Sequence, residues 1–164
     1  MARALIVGCG CRGRELATAL LERGWQVRGT TREAQNVAAI EAAGIEAAVA
    51  DPDRVGTILD QIADVTVVYW LLGSAEGDPA AVAALHGPRL ERVLEEIVDT
   101  PVRGFVYEAR GTVADECLQG GATLVRDAGA RWRIPVAATE ADPGDVPDWR
   151  ARMLACALEL TGAG

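Results

Sequence analysis

Residues 4–13, ALIVGCGCRG, decide the fold of this chain, because a short apolar run leads directly into a glycine-rich turn. The run Ala4–Val7 predicts a buried strand, and the segment Arg14–Arg23 carries leucines at helical spacing. The glycines at 8, 10 and 13 form the pattern G-x-G-x-x-G between them. In this context the pattern predicts a dinucleotide site, where backbone amides at the start of a helix face a pyrophosphate. The alternative is a structural glycine turn that has lost its ligand.

Strand and helix patterns alternate along the rest of the chain. Five further strands are predicted, at 26–30, 46–50, 65–72, 102–107 and 134–139. Helices are predicted at 34–43, 53–63, 79–98, 122–130 and 148–160, with Asp53 capping the second of these and Gly87–Pro88 breaking the third. The alternation predicts a three-layer α/β Rossmann fold whose parallel six-stranded sheet has the order 3-2-1-4-5-6. We expect residues 1–164 to form a single domain, with its ligand crevice at the carboxyl ends of the first and fourth strands.

Composition and charge exclude several classes of protein. A chain of 164 residues that is 50% hydrophobic can bury one core, and its apolar runs are too short to cross a bilayer. A net charge of -8 disfavours nucleic acid as a partner. We therefore expect a soluble, cytoplasmic protein with neither a nucleic-acid nor a membrane partner. All 16 basic residues are arginines, so chemistry that needs a lysine Schiff base or a Walker A lysine is excluded for this chain alone.

The four cysteines predict free thiols and no metal site. Cys9 and Cys11 form a C-x-C pair, and with Cys117 and Cys156 they match neither zinc spacing nor a redox C-x-x-C motif. Cys9 and Cys11 allow two interpretations. The helix N-terminus could lower a thiol pKa and make oxidation a switch on cofactor binding, or both could be small packed residues in place of Ala or Val.

The end of the second predicted strand indicates which dinucleotide is bound. An acidic residue usually accepts the free ribose 2′-hydroxyl of NAD at this place, but the sequence here reads Thr30-Thr31-Arg32. Hydroxyls and a guanidinium suit a 2′-phosphate, and Arg12 in the glycine turn is close enough to contribute. NADP is therefore the predicted cofactor. NAD is the alternative, because Glu33 could accept from a 2′-hydroxyl, and both arginines could be ordinary solvated residues.

Four segments make the chain resemble the extended and atypical short-chain dehydrogenase/reductase superfamily, which includes the NAD-dependent epimerases and dehydratases. They are GCGCRG at 8–13, VRGTTR at 27–32, VADPD at 49–53 and RGFVYEARGTV at 103–113. The resemblance implies that 51–52 lie by the adenine and 72–74 near the nicotinamide half. The candidate cofactor-binding residues are Gly8, Gly10, Cys11, Arg12, Gly13, Thr30, Thr31, Arg32, Asp51, Pro52, Leu72, Gly73 and Ser74.

The catalytic signature of that superfamily, a Ser or Thr with a Tyr-x-x-x-Lys pair, is missing, and both tyrosines fall inside predicted strands. His86, Glu108 and Thr112 are the remaining candidates for supplying a proton to an unknown small-molecule substrate. Each has a simpler interpretation: His86 as a core or interface residue, Glu108 as a rim charge that faces solvent, and Thr112 as a hydroxyl without a partner.

Two hypotheses of function follow. The first is an NADP-dependent oxidoreductase that works without the Tyr-Lys pair, since hydride transfer is the chemistry of the cofactor itself. The second is a non-catalytic sensor of the nicotinamide pool or a partner subunit. The apolar stripe of the last helix, 148–160, favours core packing and leaves a homodimer as an alternative.

Overall fold

The computed structural model describes residues 1–162, which form one six-stranded parallel sheet in the order β3-β2-β1-β4-β5-β6. The strands are β1 (Arg3–Val7), β2 (Gln26–Thr31), β3 (Glu46–Val49), β4 (Val67–Trp70), β5 (Gly104–Glu108) and β6 (Val136–Thr139). The helices are α1 (Cys11–Glu22), α2 (Val37–Ala42), α3 (Val55–Leu59), α4 (Pro79–Leu85), α5 (Pro88–Glu96), α6 (Asp115–Trp132) and α7 (Val146–Thr161). The predicted Rossmann order is confirmed, and all six predicted strands are present, with ends displaced by at most two residues.

Two hydrophobic layers hold the helices against the sheet. Helices α3 to α6 cover one face, and α1, α2 and α7 cover the other. The central strands are buried on both sides, which is why β1, β4 and β5 read as nearly continuous apolar runs. The stripe of α7 packs on the sheet through its buried residues, so the core interpretation of this helix is confirmed. These residues are Trp149, Met153, Ala157 and Leu158.

The predicted helix starts at Asp53 and at residue 122 are wrong, and the predicted break at Gly87–Pro88 is confirmed. Asp53 does not cap α3, because the helix starts at Val55 and the Asp53 carboxylate accepts instead from the Arg89 guanidinium at 3.0 Å. The stretch 79–98 is two helices, α4 and α5, separated at the predicted Gly87–Pro88 break. Helix α6 starts at Asp115, well before the predicted residue 122, because the pair Gly120–Gly121 is tolerated inside it. Gly121 leaves room for the hydroxyl of Tyr107, which a Cβ at this position would overlap.

Candidate functional site

A cleft of about 310 Å³ opens at the carboxyl ends of β1, β2 and β4, where the crevice was predicted. Glycine-turn, strand-end and loop residues form its walls. They are Gly8, Cys9, Gly10, Arg12, Thr30, Thr31, Arg32, Glu33, Asn36, Ala50, Pro52, Leu71, Leu72, Ser74, Ala75, Glu76 and Leu85. We call this space the main cleft.

The glycine turn brings the backbone close to β4 while leaving its outer side open. Gly8 has φ +87°, and a Cβ there would lie 2.6 Å from the Leu71 carbonyl oxygen, so only glycine fits without strain. A Cβ on Gly10 would meet nothing within 4 Å. Helix α1 starts immediately afterwards, and no side chain caps its first amides. Uncapped amides beside an open turn can bind a phosphate group.

The far end of the main cleft carries hydroxyls and an exposed arginine. Thr30 is buried, and its Oγ1 accepts from the Gly8 amide at 3.3 Å, so Thr30 also ties β2 to the glycine turn. The Thr31 Oγ1 accepts from the Glu33 amide at 3.1 Å and from the Asn36 side-chain amide at 3.4 Å. Arg32 is exposed next to them. This end therefore offers a cation and a rigid polar loop to a ligand.

A second cavity of about 120 Å³ lies on the other side of the glycine turn, between α1 and α7. We call it the inner cavity. Its lining residues are Gly8, Gly10, Cys11, Arg12, Gly13, Leu71, Glu108 and Trp149. The two spaces share Gly8, Gly10, Arg12 and Leu71. A molecule with two ends can therefore lie across the turn with one end in each space.

Glu108 is buried in the wall of the inner cavity, with only 2% of its surface exposed, which makes the solvent-facing interpretation of this residue wrong. Its Oε1 accepts from the Gly73 amide at 2.9 Å and its Oε2 accepts from the Trp149 indole at 3.0 Å. Burial raises the pKa of Glu108, while these two donors and the nearby charge of Arg12 act against the rise. Strand alternation explains the burial, because β5 turns this side chain toward the α1 and α7 layer.

His86 lies just after α4 and is also buried, with both ring nitrogens in hydrogen bonds. Its Nε2 donates to the Leu72 carbonyl at 2.9 Å, because a carbonyl can only accept, and the Tyr107 hydroxyl therefore donates to Nδ1 at 2.6 Å. Burial lowers the pKa of His86 and raises that of Tyr107. This geometry makes His86 a neutral link between α4, β5 and the loop after β4 rather than a group facing the main cleft.

His86 predicts a loss of stability in mild acid. A lowered pKa means that the unfolded chain binds a proton more readily than the folded chain below the ordinary histidine pKa of 6.5. The free energy of unfolding should therefore fall as the pH drops below 6.5. Above pH 6.5, the contribution of His86 to this free energy should be constant. His86 is the only histidine. Urea unfolding of wild type and His86→Gln over this range should show a pH-dependent difference between the two; a constant difference contradicts the assignment.

The remaining predicted residues divide between the two spaces and the loops around them. The predicted residues that line the main cleft are Gly8, Gly10, Arg12, Thr30, Thr31, Arg32, Pro52, Leu72 and Ser74. The inner cavity is lined by Cys11 and Gly13. Asp51, Gly73, His86 and Thr112 line neither. The Asp51 carboxylate accepts from the Asp53 amide, and the Thr112 amide donates to the Ser74 hydroxyl at 3.2 Å. Arg110 pairs with Asp142 at 3.6 Å across the exposed rim.

Cys9 is a packed residue, and the interpretation of its thiol as reactive is wrong. The side chain is 5% exposed and lies against Gly29, where a Cβ would approach its sulfur to 2.6 Å. Burial raises the pKa of Cys9 to about 11, the opposite of the lowering expected at a helix N-terminus. Cys11 is exposed, and its sulfur accepts from the Arg14 guanidinium at 3.3 Å.

Sequence reasoning did not assign several residues of these walls to a site. They are Ala50, Leu71, Ala75, Glu76 and Leu85, and the hydrogen-bonding residues Asn36 and Trp149. Asn36 lines the main cleft from a short 3-10 turn at Ala34–Asn36, which the sequence suggested only as the start of a longer helix. Trp149 was assigned to the core, but its indole also lines the inner cavity and donates to Glu108. A buried indole requires an acceptor, and that requirement could have directed attention to a buried carboxylate.

The sheet order, the open glycine turn and the cleft at the carboxyl ends of the strands define a Rossmann-type dinucleotide-binding protein. The sequence model described as NAD(P)H-binding matches residues 8–155. The chain belongs to this NAD(P)H-binding family. A search among curated proteins gives no match.

Solved structures share the fold with this chain. A short-chain dehydrogenase from Streptomyces avermitilis is 17% identical with a TM-score of 0.64, over 99% of this chain and 83% of that one. A short-chain dehydrogenase/reductase superfamily protein from Agrobacterium tumefaciens with bound NAD is 20% identical with a TM-score of 0.68. The match covers 83% of this chain and 48% of that one. The UDP-glucuronic acid 4-epimerase from Bacillus cereus in complex with NAD is 16% identical with a TM-score of 0.66. The match covers 83% of this chain and 54% of that one.

The last two matches leave much of the larger proteins unaligned. This chain spans about half the length of these two structures. The dinucleotide-binding family expected from the sequence is confirmed, and these solved structures, at 16–20% identity, confirm the fold. Within residues 1–162, no helix combines the length and the apolar character that a membrane span requires.

Proposed function

We propose that this chain is an NADP-binding domain that orients the cofactor for hydride transfer to a small molecule. The observation that carries the proposal is the main cleft, which joins an open glycine turn to an arginine-containing end. In the proposed pose, the pyrophosphate lies against the turn and the first amides of α1, and the 2′-phosphate lies by Arg32, Thr31 and Arg12. Bound NADPH would supply the hydride.

The residues present fit such a ligand. Gly10 leaves space where a phosphate has to approach the backbone, and no acidic residue occupies the first turn of α1. Arg12 lines both spaces and can bind to the pyrophosphate as well as to the 2′-phosphate. Glu33 and Glu76 are the acidic side chains in the lining of the main cleft, and Glu33 follows Arg32 directly in the chain, so NAD is the competing cofactor.

A second proposal is a non-catalytic nicotinamide sensor or partner subunit. Two observations favour it: the ring nitrogens of His86 are both engaged away from the main cleft, and the sequence lacks lysine. A panel of carbonyl and quinone substrates with NADPH separates the two proposals. Turnover supports the oxidoreductase, and cofactor binding without turnover across the panel supports the sensor.

Other features of the proposal follow from the same residues. A cytoplasmic location is part of the proposal, and the free thiols of the described cysteines fit it. We also propose that the chain acts as one domain. Most of the α7 stripe is used in the core, so a homodimer through this helix would have only its half-buried residues Leu154 and Leu160 to offer.

Titration of the wild type with NADPH, NADP⁺, NADH, NAD⁺ and 2′,5′-ADP tests the binding site itself. We expect NADPH to bind more tightly than NADH, and 2′,5′-ADP to bind with a measurable share of the NADPH affinity. Thermal shift and calorimetry both report the dissociation constants. No binding by any of these compounds contradicts both proposals.

Arg32→Ala should reduce the preference for NADPH over NADH by about ten- to a hundredfold, because a charge-assisted hydrogen bond to the 2′-phosphate contributes about 1.5–3 kcal/mol. The affinity for NADH should change little. Arg126→Ala, which removes an exposed arginine on α6, is the matched control and should leave the preference unchanged. Equal preferences in wild type and Arg32→Ala would remove Arg32 from the 2′-phosphate site.

A further inference from the structure

Glu108 places a carboxyl group in the wall of the inner cavity without a direct ion-pair partner there. Both of its oxygens are held by neutral donors, the Gly73 amide and the Trp149 indole. Buried carboxylates are normally paired with a cation, because the loss of hydration of the charged form is costly. A carboxyl group held in this way will respond to any positive charge that enters the cavity.

The charged groups on the surrounding elements are largely committed elsewhere. On α7, Asp148 pairs with Arg152 at 2.9 Å, and Arg150 pairs with Glu15 of α1 at 3.1 Å. On the rim, Arg110 faces Asp142. From its own strand, Glu108 is neighboured by Tyr107, and from α1 by Cys11 and Arg12. Arg12 is thus the cation that acts on Glu108, and in the proposed function it also serves the phosphates of the cofactor.

The position of the inner cavity suggests which end of a dinucleotide it receives. With the adenosine half in the main cleft and the pyrophosphate at the glycine turn, the other half passes the shared residues Gly10 and Arg12 and reaches the inner cavity. The inner cavity, at about 120 Å³, is smaller than the ~150 Å³ that encloses a benzene molecule, but it is only partly enclosed, so a flat ring can enter it with one edge remaining outside. The nicotinamide ring is flat, and it carries a positive charge only in its oxidised form.

We propose that Glu108 makes this site selective for the oxidised dinucleotide, by placing its carboxylate next to the cationic nicotinamide ring. The proposal rests on the proposed function, because it requires the dinucleotide to lie across the glycine turn. The neutral ring of NADPH gains nothing from the carboxylate. Glu108 would then be a specificity-determining residue that lets the protein respond to the oxidation state of the nicotinamide pool.

A proton equilibrium accompanies this selectivity. Since burial raises the pKa of Glu108, the unliganded protein keeps this proton to a higher pH than an ordinary glutamate does, and a cationic ring beside the carboxylate lowers the pKa again. Binding of NADP⁺ should therefore release protons from Glu108, and binding of NADPH should release fewer. The preference for NADP⁺ over NADPH should grow as the pH rises, until Glu108 is fully ionised in the unliganded protein.

The test measures the ratio of the NADPH and NADP⁺ dissociation constants by calorimetry, from mildly acidic to mildly basic pH. The 2′-phosphate also titrates, but it is common to both ligands and cancels in the ratio. Glu108→Gln keeps the shape of the side chain and removes its charge, and it should reduce the ratio by about tenfold or more. Glu22→Gln, the same change at the exposed C-terminal end of α1, which lines neither space, should leave the ratio unchanged.

An unchanged ratio in Glu108→Gln overturns the inference, as does a ratio whose pH dependence is the same in the variant and the wild type. If the variant does not fold, proton release by the wild type decides, from calorimetry in two buffers of different ionisation enthalpy. Greater release with NADP⁺ than with NADPH supports the inference, and equal release contradicts it. Failure of 2′,5′-ADP and of every dinucleotide to bind the wild type is a different result, which contradicts the proposed function itself.

Discussion

Gly10→Val should weaken NADPH binding by about a hundredfold, or ~2.7 kcal/mol, while the protein folds normally. The backbone of Gly10 is extended, at φ -87° and ψ -156°, and so lies outside the left-handed region that favours glycine. A Cβ at this position meets no protein atom within 4 Å. The new side chain would fill the space that the pyrophosphate needs, so the loss appears in the dissociation constant and not in the melting temperature.

The control is Gly120→Ala on α6, where a Cβ also meets nothing within 4 Å and which lines neither cavity. It should bind NADPH like the wild type. Wild-type affinity in Gly10→Val would mean that no phosphate lies against the glycine turn. A variant that melts earlier and binds weakly only for that reason would lose 2′,5′-ADP, NADPH and thermal stability together, and circular dichroism at the assay temperature detects it.

Trp149→Ala should lower the free energy of unfolding by about 4 kcal/mol, the typical cost of truncating a fully buried tryptophan. The side chain has no exposed surface and packs between α1 and the sheet. Its removal also takes a hydrogen-bond donor from Glu108, whose carboxylate is then held by the Gly73 amide alone. Urea unfolding, monitored by far-UV circular dichroism, measures the difference.

Trp132→Ala provides the matched comparison, because Trp132 ends α6, is only partly buried and lies under the Arg131 guanidinium. Its cost should be smaller, roughly 1–2 kcal/mol, in proportion to the apolar area it buries. Similar losses in the two variants would show that Trp149 does not have the central packing role assigned to it.

Much of the main cleft was predictable, because its residues are adjacent in sequence to strand ends. Local sequence pattern alone located the glycine turn and the segment Thr30–Arg32 at the end of β2, and both line the main cleft. Element ends were less accurate. The start of α6 was missed because Gly120–Gly121 resembles a break, whereas inside the fold Gly121 accommodates the Tyr107 ring.

The inner cavity was not predictable, because it depends on which face of β5 each residue occupies and on what packs against it. The sequence showed His86 and Glu108 only as isolated polar residues. It gave no indication that His86 forms a hydrogen bond with Tyr107, or Glu108 with Trp149. These partners are 21 and 41 positions away in sequence. Local periodicity carries no information about contacts at such separations.

The sequence by itself determined the order of strands and helices, the glycine turn and the arginine-containing strand end, because each depends on residues close together in the chain. Only the tertiary structure decided the protonation environments. The sequence left Cys9 as either a reactive thiol or a packed residue, and the structure shows that it is packed. Glu108 was expected at the solvent-facing rim, but it is buried beside the glycine turn. The physical reason is that a pKa follows the solvent and charge around a group, and both are set by residues brought together only when the sheet and its two helical layers assemble.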